Sequence, residues 1–355
     1  MAVVHLEVGP ELNRTIALTA GDGISYNISI IVSDGRGNGS YSARWAHFGL
    51  AFVGIDLRLV DSTIQGVPLS ATGPLLACWG CPALAFRNVT LRGFAPKDEP
   101  AGINEPLVYG AATATGVAAA DVEDFSCTGV TGASHWACLQ LGFQIGAASV
   151  SFNRSSIENN TVSSSSGAGA LVFTSAQAPQ GGGSSALTVR ITNSSLVGNT
   201  GGSGSALYSS VPLLELDINQ STISGHRSTA RGSSGSGGAV HIQGNSSAVR
   251  LHGTKMENNT AECGSGGAMY VYGTVGNLTI NGSSTVSGNS AGDSGGAIYV
   301  HWYVNSLTVN GSSNISGNSA GDSGGAMYVN DKVYTLTIDG SSNISGNSAD
   351  GGSGT

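Results

Sequence analysis

Residues 278–300 read LTINGSSTVSGNSAGDSGGAIYV, residues 307–329 read LTVNGSSNISGNSAGDSGGAMYV, and a third copy opens at 336–349 as LTIDGSSNISGNSA. The period is 29 residues, from Leu278 to Leu307 to Leu336. Self-similarity at this spacing marks a solenoid, because each unit leaves a face that only its neighbours can bury. Each copy holds three short strand-like pieces. L-T-[IV] alternates apolar and polar, S-x-[IV] offers one inward residue, and G-A-[IM]-Y-V closes the unit. Gly, Asn, Ser and Asp separate the pieces and supply turn chemistry.

Older copies run backwards along the chain. The apolar residue of the second piece recurs at Ile157, Leu196, Ile223, Met256, Val286, Ile315 and Ile344, with Ile64, Leu91 and Phe125 in similar settings upstream. The alanine of GGA recurs at Ala170, Ala206, Ala239, Ala268, Ala297 and Ala326. Three strands per turn of 25–30 residues, with no helical periodicity, predicts an all-β chain coiled as a parallel β-helix. Rungs stacked about 4.8 Å apart, roughly ten of them, would make a rod on the order of 50 Å long. Asn281-Gly282 and Asn310-Gly311 also suit hairpin turns. The earlier copies lack that Gly and fit only with a one-residue insertion, which a rung corner tolerates and a hairpin register does not. The expected organisation is one continuous domain: a cap and distorted first rungs at 1–56, irregular rungs at 57–147, and regular repeats at 148–355. The last copy stops short at Thr355 with an unprotected edge, from which end-to-end self-association is expected.

The net charge of −8 comes from scattered acids without basic runs, which speaks against nucleic acid as a partner. No apolar stretch nears the roughly 18 residues that span a bilayer. The opening MAVVHLEVGPELN has no basic region and does not read as a signal peptide. Fifteen N-x-[ST] sequons nevertheless allow an extracellular or cell-surface location, although a chain rich in Asn, Ser and Thr also makes sequons by chance. Cys78-Trp-Gly-Cys81 has redox-motif spacing without the βαβ setting, Cys127 and Cys138 can pair, and Cys263 is left over.

The pairing of [IVL]-x-x-N (Ile315 to Asn318, Val286 to Asn289, Ile344 to Asn347) with G-G-A-[IM] at 266–269, 295–298 and 324–327 resembles the polymorphic outer membrane protein repeat. The likeness covers residues 148–355. It implies a right-handed β-helix of the pectin-lyase-like class, and adhesion as the role of the bacterial members. Ile, Val or Leu stands where that family has Phe.

Gly-Asp-Ser-Gly-Gly at 292–296 and 321–325 copies a serine-protease nucleophile loop, but a nucleophile repeated at the rung period is a corner. The pectate lyases and polygalacturonases that share the fold class need clustered acids with a base. Asp61, Glu123, Asp124 and Asp217 lie on neighbouring rungs, while Gly225-His226-Arg227 lacks acidic company. Glu262, Asp293, Asp322 and Asp350 share one corner, where solvated carboxylates are expected rather than a calcium site. Asn160, Asn199, Asn259, Asn289, Asn318 and Asn347 are expected to stack inside as an amide ladder. In G-A-[IM]-Y-V the flanking residues point in, which turns Tyr208, His241, Tyr270, Tyr299 and Tyr328 out. With Tyr272, His301, Trp302, Tyr303 and Tyr334 beside them, they form an expected aromatic strip for a carbohydrate or a surface protein. The expected function is a non-catalytic extracellular module in adhesion or wall and matrix contact, without metal or cofactor. A polysaccharide lyase or hydrolase is the alternative.

Overall fold

The structure, a computed structural model, describes residues 76–91, 112–131, 137–143, 147–162, 169–175, 187–230 and 235–351, with Leu57 and Leu59; elsewhere it describes only the backbone of strands. Among the described residues there is no α-helix. The chain winds as the parallel β-solenoid that the repeat predicts, with three faces. The first face is the sheet that contains the Y-V pieces, parallel from Leu76–Trp79 to Met327–Val329. The second holds the L-T-[IV] and S-x-[IV] pieces as two limbs, and strand Ala83–Arg92 runs unbroken through both. The third is a ladder of eight short strands from Thr131–Gly132 to Ser348–Ala349. Those eight close about seven turns, somewhat fewer than the ten rungs expected; residues 66–75 and 93–111, which follow the earliest second-face strands, lie outside the described residues.

Register follows the repeat. Leu278, Leu307 and Leu336 stack, as do Val286, Ile315 and Ile344. The longest step, Ile157 to Leu196, also stays in register. Residues 163–168 and 176–185, within that longer turn, lie outside the described residues. One expected marker is misplaced by two positions: Cys127, rather than Phe125, stacks between Leu91 and Ile157. Cys127 takes that inward place because it bonds Cys138 across the coil. Of the segment 1–56 only strand backbone is described: Leu12–Thr19 pairs antiparallel with Ser25–Ser33, which pairs antiparallel with Asp56–Gln65.

In a regular rung Leu278, Ile280, Val286, Ile298 and Val300 are all buried. Each contributes on the order of 1.5–3 kcal/mol relative to exposure. The corners are closed by backbone rather than by side chains. A Cβ on Gly296 would stand 2.0 Å from the Gly325 carbonyl of the next rung, so only glycine fits. Asn281-Gly282 is one such corner and not a hairpin, since the strands on either side of it pair with neighbouring rungs. The Gly-Asp-Ser-Gly-Gly motif is another: Ser294 is buried, and its hydroxyl donates to Asp322 Oδ2 at 3.4 Å.

Candidate functional site: two aromatic rows

The middle residue of each first-face strand follows one row: Val172, Tyr208, His241, Tyr270, Tyr299, Tyr328. Their rings stack along the axis at 5.0, 4.9, 5.1 and 5.5 Å, and Tyr208 rests on Val172. This row is not the open strip expected. His241 and Tyr270 are only 4% and 5% exposed, and Tyr208, Tyr299 and Tyr328 are half-buried. The cause is the glycine loop before each strand, which reaches the row. His241 Nδ1 meets the Ser236 carbonyl at 3.0 Å, and a Cβ on Gly324 would lie 2.9 Å from Tyr328 Cβ.

Burial sets the chemistry of these rings. It pushes the Tyr208, Tyr270 and Tyr299 hydroxyls above the ordinary tyrosine value, and neighbouring tyrosines add to the effect at Tyr270 and Tyr299. It also holds His241 below the ordinary histidine value, so the ring is neutral. A carbonyl cannot donate, so Nδ1–H donates to Ser236, and Nε2 lies 3.0 Å from the Gln243 side-chain amide. Faces in the row are occupied by neighbouring rings, which leaves edges outward. A sugar stacks on a ring face, so the row's interior members offer it little.

The free aromatic surface lies one corner further on. Tyr272 stacks on His301 at 4.8 Å, Trp302 meets His301 edge-on at 5.2 Å, and Tyr303 meets Tyr334 edge-on at 5.6 Å. Tyr272, Trp302 and Tyr334 are 43%, 49% and 59% exposed. Lys332 Nζ stands 4.5 Å over the Tyr334 ring, and its hydrogen bond to Tyr334 raises its pKa. The ten aromatic residues of the strip thus divide into a stacked row of five, buried at His241 and Tyr270 and half-buried elsewhere, and a second cluster of five, exposed at Tyr272, Trp302 and Tyr334 and half-buried at His301 and Tyr303.

The six ladder asparagines form the interior counterpart. Asn160 Nδ2 donates to Asn199 Oδ1, and Asn259, Asn289 and Asn318 donate in turn to Asn289, Asn318 and Asn347, each at 2.9 Å. The same amides satisfy the Cys127, Ile223, Met256, Val286 and Ile315 carbonyls. Sequence reading missed that His226 fills the rung between Asn199 and Asn259. Its Nδ1 accepts from Asn199 N–H at 3.1 Å, and Nε2–H donates to Leu196 O at 2.9 Å. Burial lowers its pKa to about 4, so it stays neutral. The available signal was position: Gly225-His226 aligns with Gly288-Asn289. A second row, Ser155, Ser194, Ser221, Thr254 and Ser284, was also missed. Ser194, Ser221 and Ser284 hydroxyls accept from the backbone N–H one rung below, at 3.0–3.1 Å.

The acids that a lyase or hydrolase would need together divide as well. Glu123 and Asp124 meet Arg154 at 2.7 and 2.8 Å, while Arg87 stands 3.7 Å from both Asp121 and Glu123. The Arg154 hydrogen bond holds Asp124 below the usual carboxylate range, which suits a fixed anion and not a proton donor. Asp217 shares the row of Asp121 but sits three rungs away, roughly 14 Å. Asp61 lies outside the described side chains. At the acidic corner Asp293, Asp322 and Asp350 are exposed, Asp293 accepts from Ser265 at 3.1 Å, and Glu262 pairs with Arg227. Among the described residues no three His, Cys, Asp or Glu side chains are placed to hold a metal. No helix there is long and apolar enough to cross a membrane. The chain matches no protein-family model, and the comparisons with curated proteins and with solved structures found no match.

Proposed function

We propose that this solenoid is an extracellular or cell-surface module that contacts carbohydrate or a surface protein, in adhesion or wall and matrix attachment, without catalysing a reaction. The observation that carries the reading is the open cluster of Tyr272, His301, Trp302, Tyr303 and Tyr334 on the side of a rigid stack. Tyr272, Trp302 and Tyr334 are more exposed than any ring of the stacked row, and Lys332 supplies a cation beside them. The disulfides Cys78–Cys81 and Cys127–Cys138 support an oxidising compartment. Kinship with the polymorphic outer membrane protein repeat belongs to the same proposal. It is supported by the jobs its two tetrapeptides do here: the asparagine bonds rung to rung, and the glycines close the corner.

The test is retention on immobilised plant, fungal and bacterial wall polysaccharides and on matrix proteins, compared with Trp302→Ala and Tyr334→Ala. Both side chains are about half exposed, so the fold should survive their loss. A ligand should be retained, and retention should fall at least tenfold in each variant. Retention that ignores both substitutions, or no ligand at all, overturns the reading.

The second reading, a polysaccharide lyase or hydrolase, rests on Asp121, Glu123 and Asp124 beside Arg87 and Arg154. Three carboxylates and two guanidinium cations within reach of one another are the kind of cluster such chemistry draws on. Here each carboxylate already faces a guanidinium, so none is poised to take a proton. Cleavage of uronic-acid polymers that disappears in the Glu123→Gln, Asp124→Asn double variant would establish this reading over the first.

A further inference from the structure

The chain has 24 asparagines and 76 serines and threonines in 355 residues. Chance alone would put a hydroxyl residue two places after about five of those asparagines, and fifteen have one. The excess is not uniform. All six ladder asparagines lack it, because alanine, valine or glycine follows where the hydroxyl would be. Among the other eighteen, only Asn104, Asn305 and Asn330 lack it.

Geometry sharpens the division. Asn159, Asn193, Asn245, Asn258 and Asn277 are exposed sequon asparagines on the second face and its corners. The fold does not itself require the hydroxyl that completes several of these motifs. Thr260 stacks on Arg227 and Thr279 on Arg250, so a charged side chain serves equally well at each place. At Asn153 and Asn219 the hydroxyl residue does have a structural role, since Ser155 and Ser221 belong to the buried serine row. The described residues of the first face, the glycine loops and the third face contain no asparagine at all.

We propose that Asn159, Asn193, Asn245, Asn258 and Asn277 carry N-linked glycans, which coat the second face and its corners and leave the tyrosine sheet bare. The proposal rests on the extracellular reading above. In the transfer, Nδ2 forms a bond to the anomeric carbon of a lipid-pyrophosphate-linked oligosaccharide. The bond from that carbon to the pyrophosphate oxygen breaks, the lipid pyrophosphate leaves with the electron pair, and one Nδ2 proton goes to the transferase base. Nothing is oxidised or reduced. Asn245 is the attachment point nearest the open cluster, as its Oδ1 accepts from the Thr274 N–H, two residues past Tyr272.

The experiment takes the protein from the cells that make it. Peptide-N-glycosidase in heavy-oxygen water converts each occupied asparagine to labelled aspartate, which mass spectrometry locates. Label is expected on most of the five and on none of Asn160, Asn199, Asn259, Asn289, Asn318 or Asn347. An unlabelled set of five overturns the proposal. Alkylation of the denatured, unreduced protein separates that result from failure of the extracellular reading. Blocked Cys78, Cys81, Cys127 and Cys138 with unlabelled asparagines defeat the glycans alone, whereas free thiols at those four defeat both.

Discussion

The rungs before residue 175 and those after residue 245 solve one problem with different materials. Early rungs fill the coil with large rings: Phe86 stacks on Phe125 and Phe143 meets Phe173 edge-on, both at 5.8 Å, with Phe152 also fully buried. They add two disulfides and the Arg87–Arg154 ion-pair group. Among the described residues, late rungs contain no buried phenylalanine and no disulfide, and their ion pairs are two, Glu262 with Arg227 and Arg250 with Glu215. Aliphatics occupy their interior, aromatics line the outer side of the first face, and the asparagine row repeats bond for bond from Asn259 to Asn347. Irregular rungs must be fitted one by one, with volume and covalent bonds. Identical rungs let a short polar device work at every level, because the donor of one always meets the acceptor of the next.

The largest expected effect tests the polar device. Asn289→Ala would take the acceptor from the Asn259 N–H and from one Asn259 amide proton, and a donor from the Met256 carbonyl, in a dry interior. A loss of about 4 kcal/mol in urea unfolding is expected, since each unpaired buried polar group costs about 1–3 kcal/mol. If the variant keeps wild-type stability, the ladder does not hold the late rungs. The early rungs should answer to a different change. Cys127→Ala with Cys138→Ala opens a loop with a sequence separation of 11, expected to cost about 3 kcal/mol. Hydrogen exchange should place that loss in residues 112–162 and leave 246–349 protected.

Acid should act at the junction. His226 has its folded pKa lowered to about 4 from 6.5, so the unfolded chain binds the extra proton between those values. Its contribution is therefore complete above pH 6.5 and is lost as pH falls toward 4, reaching about 3 kcal/mol. Replacing it with asparagine restores the repeat and should flatten that part of the pH–stability curve. The smallest effect is expected at Arg154→Gln. Its ion pairs with Glu123 and Asp124 are solvent-exposed, so thermal unfolding at moderate salt should barely move.

The stacking of the late rungs was legible because a 29-residue period states its own register: Leu278 had to meet Leu307. The inward asparagines were legible for the same reason. The Phe125 and Cys127 marker was not, because in a worn rung only the disulfide tells which of two buried residues takes the stacking place. Exposure of the aromatics was half legible. Strand alternation gives the side of the sheet a residue leaves from, but not that a glycine loop will fold back over it, as it does at His241. His226 stayed hidden because an imidazole does an amide's job by offering an acceptor and a donor on opposite edges of its ring, a likeness of geometry and not of residue type.

That imidazole also divides the rod. Every amide-to-amide bond in the ladder runs the same way along the axis, so neighbouring dipoles polarise one another. His226 does not pass the pattern on. Asn199 reaches it through backbone N–H, and it reaches Asn259 the same way, so the amide chain stops on one side and starts afresh on the other. A solenoid is held by nearest-neighbour terms, and its weakest junction decides where it comes apart. Under load or denaturant the molecule should therefore part at the rung of residues 213–242, into a pinned lower block and a ladder-bound upper block.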